Sequence, residues 1–326
     1  MTVGLGIVGV GWWGRVLADA IVDADGVDLT GGFARSHDAR TAFASDYGTT
    51  TPDSLEAMLA DPNLHGVVVA TPHSTHRGII EAAAAAGKAV LMEKPLALTV
   101  EEGRAAVATA EAAGIPLQVG HQRRRTAANR YIKHMIDAGD IGPIQMVEAN
   151  QSVPNALGHA DDAWRRDRTE SPLGGMTSLG VHKVDTMHYL IGPMKRVSVF
   201  TKNQMDRPEI DEATVIAIEF ESGAVGSLVT SFVVPVISRL SLYGIKASAF
   251  NDYDGTTLEV QLTGGGREPI DLEPVDPVID QLVEFGKVIR GEAEPETGAA
   301  EGMAVVSVLE AMVQSSETGT AVDVIY

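Results

Sequence analysis

Short apolar runs alternate with amphipathic helical stretches along the first 120 residues of the chain. Five runs predict strands, at Val3–Val8, Val27–Phe33, Gly66–Ala70, Ala89–Met92 and Leu117–Gly120. Apolar residues recur at helical spacing between them, after Gly14, over Ser54–Leu59, over Thr75–Ala86 and from Thr99 onward. The runs GVVVAT and AVLM are apolar throughout, as expected of strands that are covered on both faces. The alternation therefore predicts a parallel, doubly wound sheet.

The pattern changes after Gly120. A helical stretch over 124–138, closed by Gly139, precedes longer segments in which polar and β-branched apolar residues alternate. These segments are PIQMVEANQSV, RVSVFTKNQ, ATVIAIEFES, AVGSLVTSFVV, SRLSLYGI and TLEVQL. They predict one large, mostly antiparallel sheet with one solvated face, followed by a helix over Ala299–Ser316. We therefore expect an α/β protein with two domains, 1–120 and 121–326.

Composition narrows the expected partners and compartment. The chain has 326 residues, 44% of them hydrophobic, but no apolar run approaches the roughly 18 residues of a membrane span. A net charge of −19 and a pI of about 4.8 argue against nucleic acid and anionic membranes as partners, since both would be repelled. Without cysteine there are no disulfides, thiolate nucleophiles or cysteine-bound metals. The start has no basic region and no cleavage site, so we expect a cytoplasmic protein without a signal peptide.

The first predicted strand runs into a glycine-rich loop, Gly9-x-Gly11-x-x-Gly14, and an amphipathic helix follows directly. This context favours a dinucleotide site over a plain strand–helix turn. The first glycine permits a tight turn, the second lets the backbone approach a pyrophosphate, and the third lets helix and strand pack closely. The helix N-terminus then faces the anion. We expect a Rossmann domain that binds NAD(P), with Trp12 and Trp13 of the loop in the cofactor site.

The end of the second predicted strand bears on which cofactor binds. NAD sites typically carry an acidic residue about 20 residues after the glycine-rich loop, where it binds the ribose 2′-hydroxyl. Ala34 stands at that position here, followed by Arg35 and Ser36. Arginine and a hydroxyl bind a phosphate, whereas an acid repels it, so the sequence favours NADP(H) over NAD(H). The alternative is that Arg35 is a solvated loop residue that stacks on adenine.

Glu93 and Lys94 follow the predicted strand Ala89–Met92 and precede Pro95. Ligands bind at the carboxyl ends of strands in such sheets. A lysine ammonium at this place can polarise a carbonyl or hold an alcohol, and desolvation or a nearby nicotinamide cation would lower its pKa towards the working range. The alternative is that Glu93 and Lys94 form a surface ion pair.

Several segments resemble one enzyme family in their order and spacing. GVGWWG, VVVATPHSTH, MEKPLALT, GGMTSLGVHKVD and the ending LEAMVQSSETGTAVDV are similar to the glucose-fructose oxidoreductase/inositol dehydrogenase/MocA (Gfo/Idh/MocA) family across essentially the whole chain. The resemblance implies a Rossmann domain and a C-terminal α/β domain, built on an open sheet, for substrate binding and oligomerisation. It implies a homodimer or homotetramer through that sheet, and hydride transfer between NAD(P) and a secondary alcohol or carbonyl of a sugar, polyol or cyclic diol.

The resemblance also implies roles for individual residues. Lys94 matches the family's catalytic lysine, and the bond before Pro95 is expected to be cis. The implied cofactor contacts are Gly9, Gly11 and Gly14 on the pyrophosphate, Arg35 and Ser36 at the 2′-phosphate, Thr71, Pro72 and His76 near the nicotinamide, Glu93 on its ribose, and Trp164 and Arg165 over the cofactor.

The family's second catalytic element is an Asp, a His four residues later and an Asp three residues after that. His182 and Asp185 match the last two positions, but Ser178 stands at the first. We expect His182, with an unperturbed pKa near 6.5, to act as general acid/base while Lys94 polarises the substrate oxygen, or the two roles to be reversed. Ser178 can hydrogen-bond a substrate but cannot titrate usefully. A small residue here resembles enzymes that act on aromatic-ring diols, which leaves the substrate class open.

Three further points concern the loop after the last Rossmann strand, a possible metal site and the rival functions. Gln122, Arg123 and Arg124 either include a residue that binds an anionic substrate or a phosphate, or are solvated hinge residues, because loops carry both kinds. His182 and His188 lie about 120° apart around a helix of 3.6 residues per turn, so no metal site is expected. Two rival functions are a dinucleotide-binding regulator without turnover and an NAD-dependent glycosidase with transient redox chemistry. The retained Glu-Lys-Pro segment argues against the regulator.

Overall fold

The structure, a computed structural model, describes residues 2–158, 163–203 and 210–326. It falls into two compact units. One comprises the chain up to His121 together with Asp276–Met303, and the other comprises Gln122–Val275 together with Ala304–Tyr326. The first unit thus includes a segment, Asp276–Met303, that the sequence expectation placed in the second domain.

The helices and strands are numbered in chain order. The helices are α1 Trp12–Asp23, α2 His37–Tyr47, α3 Leu55–Leu59, α4 His76–Ala85, α5 Val100–Ala113, α6 Ala127–Asp137, α7 Val181–Ile191, α8 Pro277–Ile289 and α9 Ala299–Thr318. The strands are β1 Val3–Val8, β2 Val27–Phe33, β3 Gly66–Val69, β4 Ala89–Met92, β5 Leu117–Val119, β6 Ile144–Ser152, β7 Met194–Lys202, β8 Ala213–Phe220, β9 Val225–Ser231, β10 Ile237–Gly244, β11 Ala247–Asp252, β12 Thr257–Leu262, β13 Arg267–Pro269 and β14 Val322–Asp323.

The first unit is built on a parallel sheet in the strand order β2-β1-β3-β4-β5. Strands β1, β3, β4 and β5 are buried along their whole lengths. Continuous apolar sequence is what such burial requires, because neither face of the strand meets water. The predicted parallel, doubly wound sheet is confirmed, and each of its strands ends within one residue of the predicted bound.

The core of the first unit explains why α8 belongs to it. Leu282 and Phe285 of α8 are fully buried and cluster with Leu5 of β1 and Ile21 of α1. Each such side chain contributes roughly 1.5–3 kcal/mol by leaving water. The helix begins at Asp276, whose carboxylate accepts from the backbone N–H groups of the second and third helical residues at 2.8 and 3.1 Å. The segment therefore folds back onto the sheet as an ordinary capped, amphipathic helix.

The second unit is built on a nine-stranded sheet in the order β13-β12-β11-β10-β6-β9-β8-β7-β14. Among the described strands, β6 and β9 are the parallel neighbours and the other pairs are antiparallel. Along β8, Ile216 and Ile218 are buried, whereas the alternating Val215 and Ala217 are exposed. The predicted mostly antiparallel sheet with one solvated face is confirmed.

Helix α9 packs against this sheet. The hydroxyl of Ser315 accepts a hydrogen bond from the backbone N–H of Val199 on β7 at 3.0 Å, and Val306, Leu309 and Met312 are buried. Over the ranges that the structure describes, no helix has both the length and the apolar character that a bilayer crossing requires.

Candidate active site

The loop between β1 and α1 has the geometry of a dinucleotide cradle. Gly9 has φ +99°, and a Cβ there would lie 2.3 Å from the carbonyl oxygen of Ala70. A Cβ at Gly14 would lie 1.9 Å from the carbonyl oxygen of Gly9, whereas a Cβ at Gly11 would meet nothing within 4 Å. The first and third glycines are therefore required by packing inside the protein. The second leaves open space beside the N-terminus of α1, which fits a pyrophosphate.

The two tryptophans of this loop differ in their environments. Trp13 packs against the core of the first unit, whereas Trp12 is 77% exposed. Their ring centroids lie 5.6 Å apart. Trp13 thus helps to fix the start of α1, and Trp12 offers an aromatic surface beside Gly11.

The loop after β2 is fixed by Arg40, a residue whose role no sequence pattern indicated. Arg40 is 8% exposed, and its guanidinium donates to the carbonyl oxygens of Ala34 and Arg35 at 2.8 and 3.2 Å. The hydroxyl of Ser36 accepts from the N–H of Ala39 at 3.3 Å and caps α2. Ser36 and the side chain of Arg35 are exposed. The loop therefore exposes the side chain of Arg35. Position 34, where an NAD site typically has an acidic residue, is alanine.

The ends of β3 and β4 bring together the predicted nicotinamide residues. His76 Nδ1 lies 3.1 Å from the Pro95 carbonyl oxygen and Nε2 lies 3.3 Å from that of Thr71. Glu93 is 6% exposed, and one of its oxygens accepts from the backbone N–H of Lys94 at 3.3 Å. The bond from Lys94 to Pro95 is cis, as expected.

These residues share one edge of the sheet with the glycine-rich loop. A Cβ at Gly9 would lie 2.9 Å from the Thr71 side chain, and the Thr75 hydroxyl donates to that of Thr71 at 2.8 Å. Because β1, β3 and β4 are parallel neighbours, their carboxyl ends meet at this edge. The first unit thus places Lys94 and Glu93 on the same edge of the sheet as the candidate pyrophosphate cradle.

In the second unit His182 lies in the first turn of α7 and is 6% exposed. Its carbonyl oxygen accepts from the Thr186 hydroxyl at 2.9 Å. Ser178 lies in the π-helical segment Met176–Gly180 that leads into α7. Asp185 pairs with Arg124 through bonds of 2.5 and 3.0 Å, and both side chains are buried. Asp185 therefore anchors α7 to the turn at Gln122–Arg125, as a supporting residue would.

The remaining candidate residues of the second unit have different contacts. Gln122 is 3% exposed, and its side-chain oxygen is buried without a hydrogen-bond partner among the described residues. The guanidinium of Arg165 lies 4.2 Å from the ring centroid of Trp164. His188 faces Tyr326, with 3.3 Å between the ring nitrogen Nε2 and the phenolic oxygen. His188 is thus engaged at the C-terminal end of the chain.

Lys183, the residue after His182, is a buried lysine whose pKa is lowered. It was not predicted from the sequence. It is 4% exposed. Burial lowers the pKa of Lys183 to about 8; Asp254 and Asp252 oppose this shift, and Arg123 adds to it. A lysine at a single helical position gives no sequence signal of burial, because the side chains around it come from distant strands.

The fold and the loop after β1 define a dinucleotide-binding oxidoreductase. The family models agree in both halves of the chain. Residues 3–121 match the oxidoreductase family with an NAD-binding Rossmann fold, and residues 129–250 match the GFO/IDH/MocA C-terminal domain. The chain belongs to the Gfo/Idh/MocA family of NAD(P)-dependent oxidoreductases.

Individual relatives agree over the whole chain or most of it. The 1,5-anhydro-D-fructose reductase of Ensifer adhaerens is 26% identical over 98% of each chain. The scyllo-inositol 2-dehydrogenase (NAD(+)) of Bacillus subtilis is 33% identical over 59% of this chain and 56% of its own. The crystal structure of an oxidoreductase from Desulfitobacterium hafniense has a TM-score of 0.94 at 28% identity and covers 99% of this chain and 98% of its own.

Proposed function

We propose that the protein is an NADP-preferring dehydrogenase or reductase acting on a secondary alcohol or carbonyl of a sugar, polyol or cyclic diol. The observation that carries the proposal is the shared sheet edge, where Lys94 and Glu93 stand beside His76 on the edge that also holds the glycine cradle. The two enzymes compared above are named for a cyclic sugar derivative and a cyclic polyol. A ring-shaped polyhydroxyl substrate is the class that they share.

The preference for NADP rests on the loop after β2. Arg40 holds the carbonyl groups of Ala34 and Arg35, which leaves the exposed Arg35 side chain to pair with a 2′-phosphate. Position 34 has no carboxylate that would accept from a 2′-hydroxyl or repel a phosphate. The inositol dehydrogenase relative is named for NAD+, so the choice between the two cofactors has to be tested on this chain.

The proposed chemistry divides between two side chains. A bound nicotinamide supplies the hydride acceptor or donor. Lys94 donates a hydrogen bond to the reacting oxygen and stabilises its developing negative charge. His182 takes the proton that an alcohol releases on oxidation, and returns it when a carbonyl is reduced. Asp185 and Arg124 hold α7 in place, while Ser178 supplies a hydrogen bond instead of the carboxylate that the family pattern has.

The proposal includes self-association through the solvated face of the large sheet. Phe200 of β7 is 74% exposed and pairs across the ladder with Val215 of β8, which is 45% exposed. Val225 and Met146 are a second exposed cross-strand pair on β9 and β6. Exposed apolar pairs on one open face suit a contact between subunits. We propose a homodimer or homotetramer, to be tested by light scattering of wild type and Phe200→Glu, with the variant expected to be monomeric.

The test of function is turnover with a panel of sugars, inositols and cyclic diols, each with NADP and with NAD, followed at the nicotinamide absorbance. We expect oxidation of at least one neutral ring polyol, at a higher kcat/KM with NADP+ than with NAD+, and reduction of the corresponding ketone by NADPH. Cleavage of a glycoside without net cofactor change would support the glycosidase instead. Dinucleotide binding without any turnover would support a regulator.

A further inference from the structure

A polar network links Arg123 on the surface of the second unit to Lys183 in its interior. The Arg123 guanidinium forms an ion pair with one carboxylate oxygen of Asp254. The other oxygen lies 3.0 Å from the hydroxyl of Ser238, which is also 2.9 Å from the side-chain oxygen of Gln151. Lys183 Nζ lies 3.5 Å from the same hydroxyl. Asp254 is therefore fixed by contacts to both of its oxygens.

The main chain at Arg123 is fixed as well. The side-chain nitrogen of Asn129 donates to the Arg123 carbonyl oxygen at 2.8 Å, and the oxygen of Asn129 accepts from Asn251 at 2.7 Å. Both asparagines are buried, at 4% and 2% exposure. Buried hydrogen-bonded networks hold their members in one arrangement, so the position of Arg123 is set from both its backbone and its side chain.

The turn that carries Asp254 adopts a sparsely populated backbone conformation. Tyr253, Asp254 and Gly255 have φ values of +49°, +62° and +91° in succession. A Cβ at Gly255 would lie 2.4 Å from the Thr126 hydroxyl, so only glycine lets the turn approach this closely. Backbone of this kind persists where the surrounding structure demands it, and it clusters at functional sites. Here its effect is to present Asp254 to Arg123.

The pair of side chains remains accessible. Arg123 and Asp254 are 32% and 28% exposed, whereas Lys183 beneath them is buried. Asp254 is the carboxylate that pairs with the Arg123 guanidinium among the described residues. A guanidinium has five N–H donors and a carboxylate has about four acceptor positions, so both groups keep capacity for a ligand.

The charges around the pair cancel. Arg123 and Lys183 bring two positive charges, and Asp252 and Asp254 bring two negative charges. An anionic ligand at such a site meets the attraction of Arg123 together with the repulsion of Asp254. A neutral ligand that both accepts and donates hydrogen bonds meets no such opposition.

Resting on the proposed function, we propose that the Arg123–Asp254 pair is a subsite for two adjacent hydroxyl groups of a neutral polyol substrate. One hydroxyl oxygen accepts from Arg123, and its neighbour donates to Asp254. The pair discriminates against substrates that carry a carboxylate or phosphate at this place. Arg123 and Asp254 are thus specificity-determining residues, and Ser238, Asn129 and Lys183 position them.

The test compares binding by isothermal titration calorimetry in the presence of NADPH, which cannot accept a hydride from a polyol, with myo-inositol, D-xylose, D-glucose and D-glucuronate as probes. Asp254→Asn keeps a residue that tolerates positive φ and keeps an acceptor for Ser238, but it loses the charge facing Arg123. Arg123→Met removes the donors. The matched control is Asp323→Asn, which breaks an exposed Arg–Asp pair elsewhere in the second unit, 2.6 Å long.

We expect wild type to bind a neutral polyol more tightly than glucuronate. Both site variants should weaken polyol binding about tenfold or more, as expected when a charged hydrogen-bond partner is lost, and the control should match wild type. In turnover assays KM should rise with little change in kcat, which a merely structural defect would not produce. If Asp254→Asn fails to fold, Asp254→Gly, which also tolerates positive φ, replaces it.

Three results would overturn the subsite: unchanged polyol affinity in both variants, tighter wild-type binding of glucuronate, or binding of none of the neutral probes. The proposed function fails separately. If polyols bind through Arg123 and Asp254 but no probe changes the nicotinamide absorbance, the subsite stands and the redox function falls. If turnover is normal and the variants bind like wild type, the function stands and the subsite falls.

Discussion

The stability of the second unit should depend on pH through Lys183. Its side chain is 4% exposed on α7, and the groups that face it are Asp254, Asp252 and Arg123. Replacing Lys183 with Met keeps the length of the side chain and removes the charge. Comparing the free energy of unfolding of wild type and Lys183→Met isolates this one titration, because all other groups are common to both proteins.

The size of the effect follows from the pKa shift. Burial lowers the pKa of Lys183 from 10.5 to about 8, and each pKa unit corresponds to ~1.4 kcal/mol. Between these two values the unfolded chain binds the proton and the folded protein does not, so stability rises with pH. Wild type should therefore gain about 3 kcal/mol relative to Lys183→Met between pH 8 and pH 10.5. Below pH 8 the difference between the two proteins should be constant.

The assay is urea denaturation of both proteins at intervals from pH 7 to pH 10, followed by circular dichroism. Most of the gain should be visible by pH 10. A difference in unfolding free energy that stays flat over this range would show that Lys183 titrates near its ordinary value. Lys183 would then not be buried in the network beneath Arg123 as the structure has it.

Three further predictions concern the cofactor loops and α7. Ala34→Asp should lower kcat/KM with NADP about tenfold or more and spare NAD, because an acid repels the 2′-phosphate; an unchanged NADP/NAD ratio would refute the assignment. Asp185→Ala should cost about 3–5 kcal/mol in urea denaturation, since it removes the buried carboxylate that accepts two hydrogen bonds from the Arg124 guanidinium, and a loss below about 1 kcal/mol would contradict this. Gly14→Ala should abolish NADP binding in calorimetry or prevent folding, because the new Cβ would lie 1.9 Å from a carbonyl oxygen of the same loop. A folded variant with normal NADP affinity would contradict the proposal that this loop binds the pyrophosphate.

The parallel sheet was predictable because its strands are buried on both faces. Continuous apolar runs such as Gly66–Val69 and Ala89–Met92 mark such strands almost to the residue. The capped helix α5 was predictable for a local reason as well: Thr99 accepts from the N–H of Glu102 at 3.2 Å. Strands and helices that have one dominant local cause, such as burial on both faces or a capping residue, can be predicted from the sequence.

Two helices of the first unit were missed. Helix α2 begins at the Ser36 cap but buries few of its residues, so its sequence has little helical periodicity. Helix α8 did carry signals, namely Asp276 followed by Pro277 and then apolar residues at helical spacing. What the sequence could not express is that α8 returns to the first unit, because that depends on the packing of Leu282 and Phe285 with strands more than 200 residues earlier.

The candidate site also has residues that the sequence predicts and residues that it does not. The glycines of the first loop and the Glu-Lys-Pro segment are contiguous in sequence, and the structure places them on one sheet edge. Arg40 was not predicted as part of the site; its guanidinium donates to carbonyl groups five and six residues earlier, which no sequence pattern indicates. Asp254 and Ser238 could not be joined to Lys183 from the sequence. Their meeting depends on the pairing of β10 with β11 and on the unusual backbone of the turn after β11.

Hydride transfer by this protein should depend on both Lys94 and His182. Its most direct test is the nicotinamide absorbance change of wild type, Lys94→Ala and His182→Ala with the best substrate of the panel and NADP. The exposed Lys195→Ala and His37→Ala serve as controls of the same residue types. We expect both site variants to lose about 10²–10⁴-fold in kcat and both controls to match wild type. Near-normal turnover in either Lys94→Ala or His182→Ala would contradict the account.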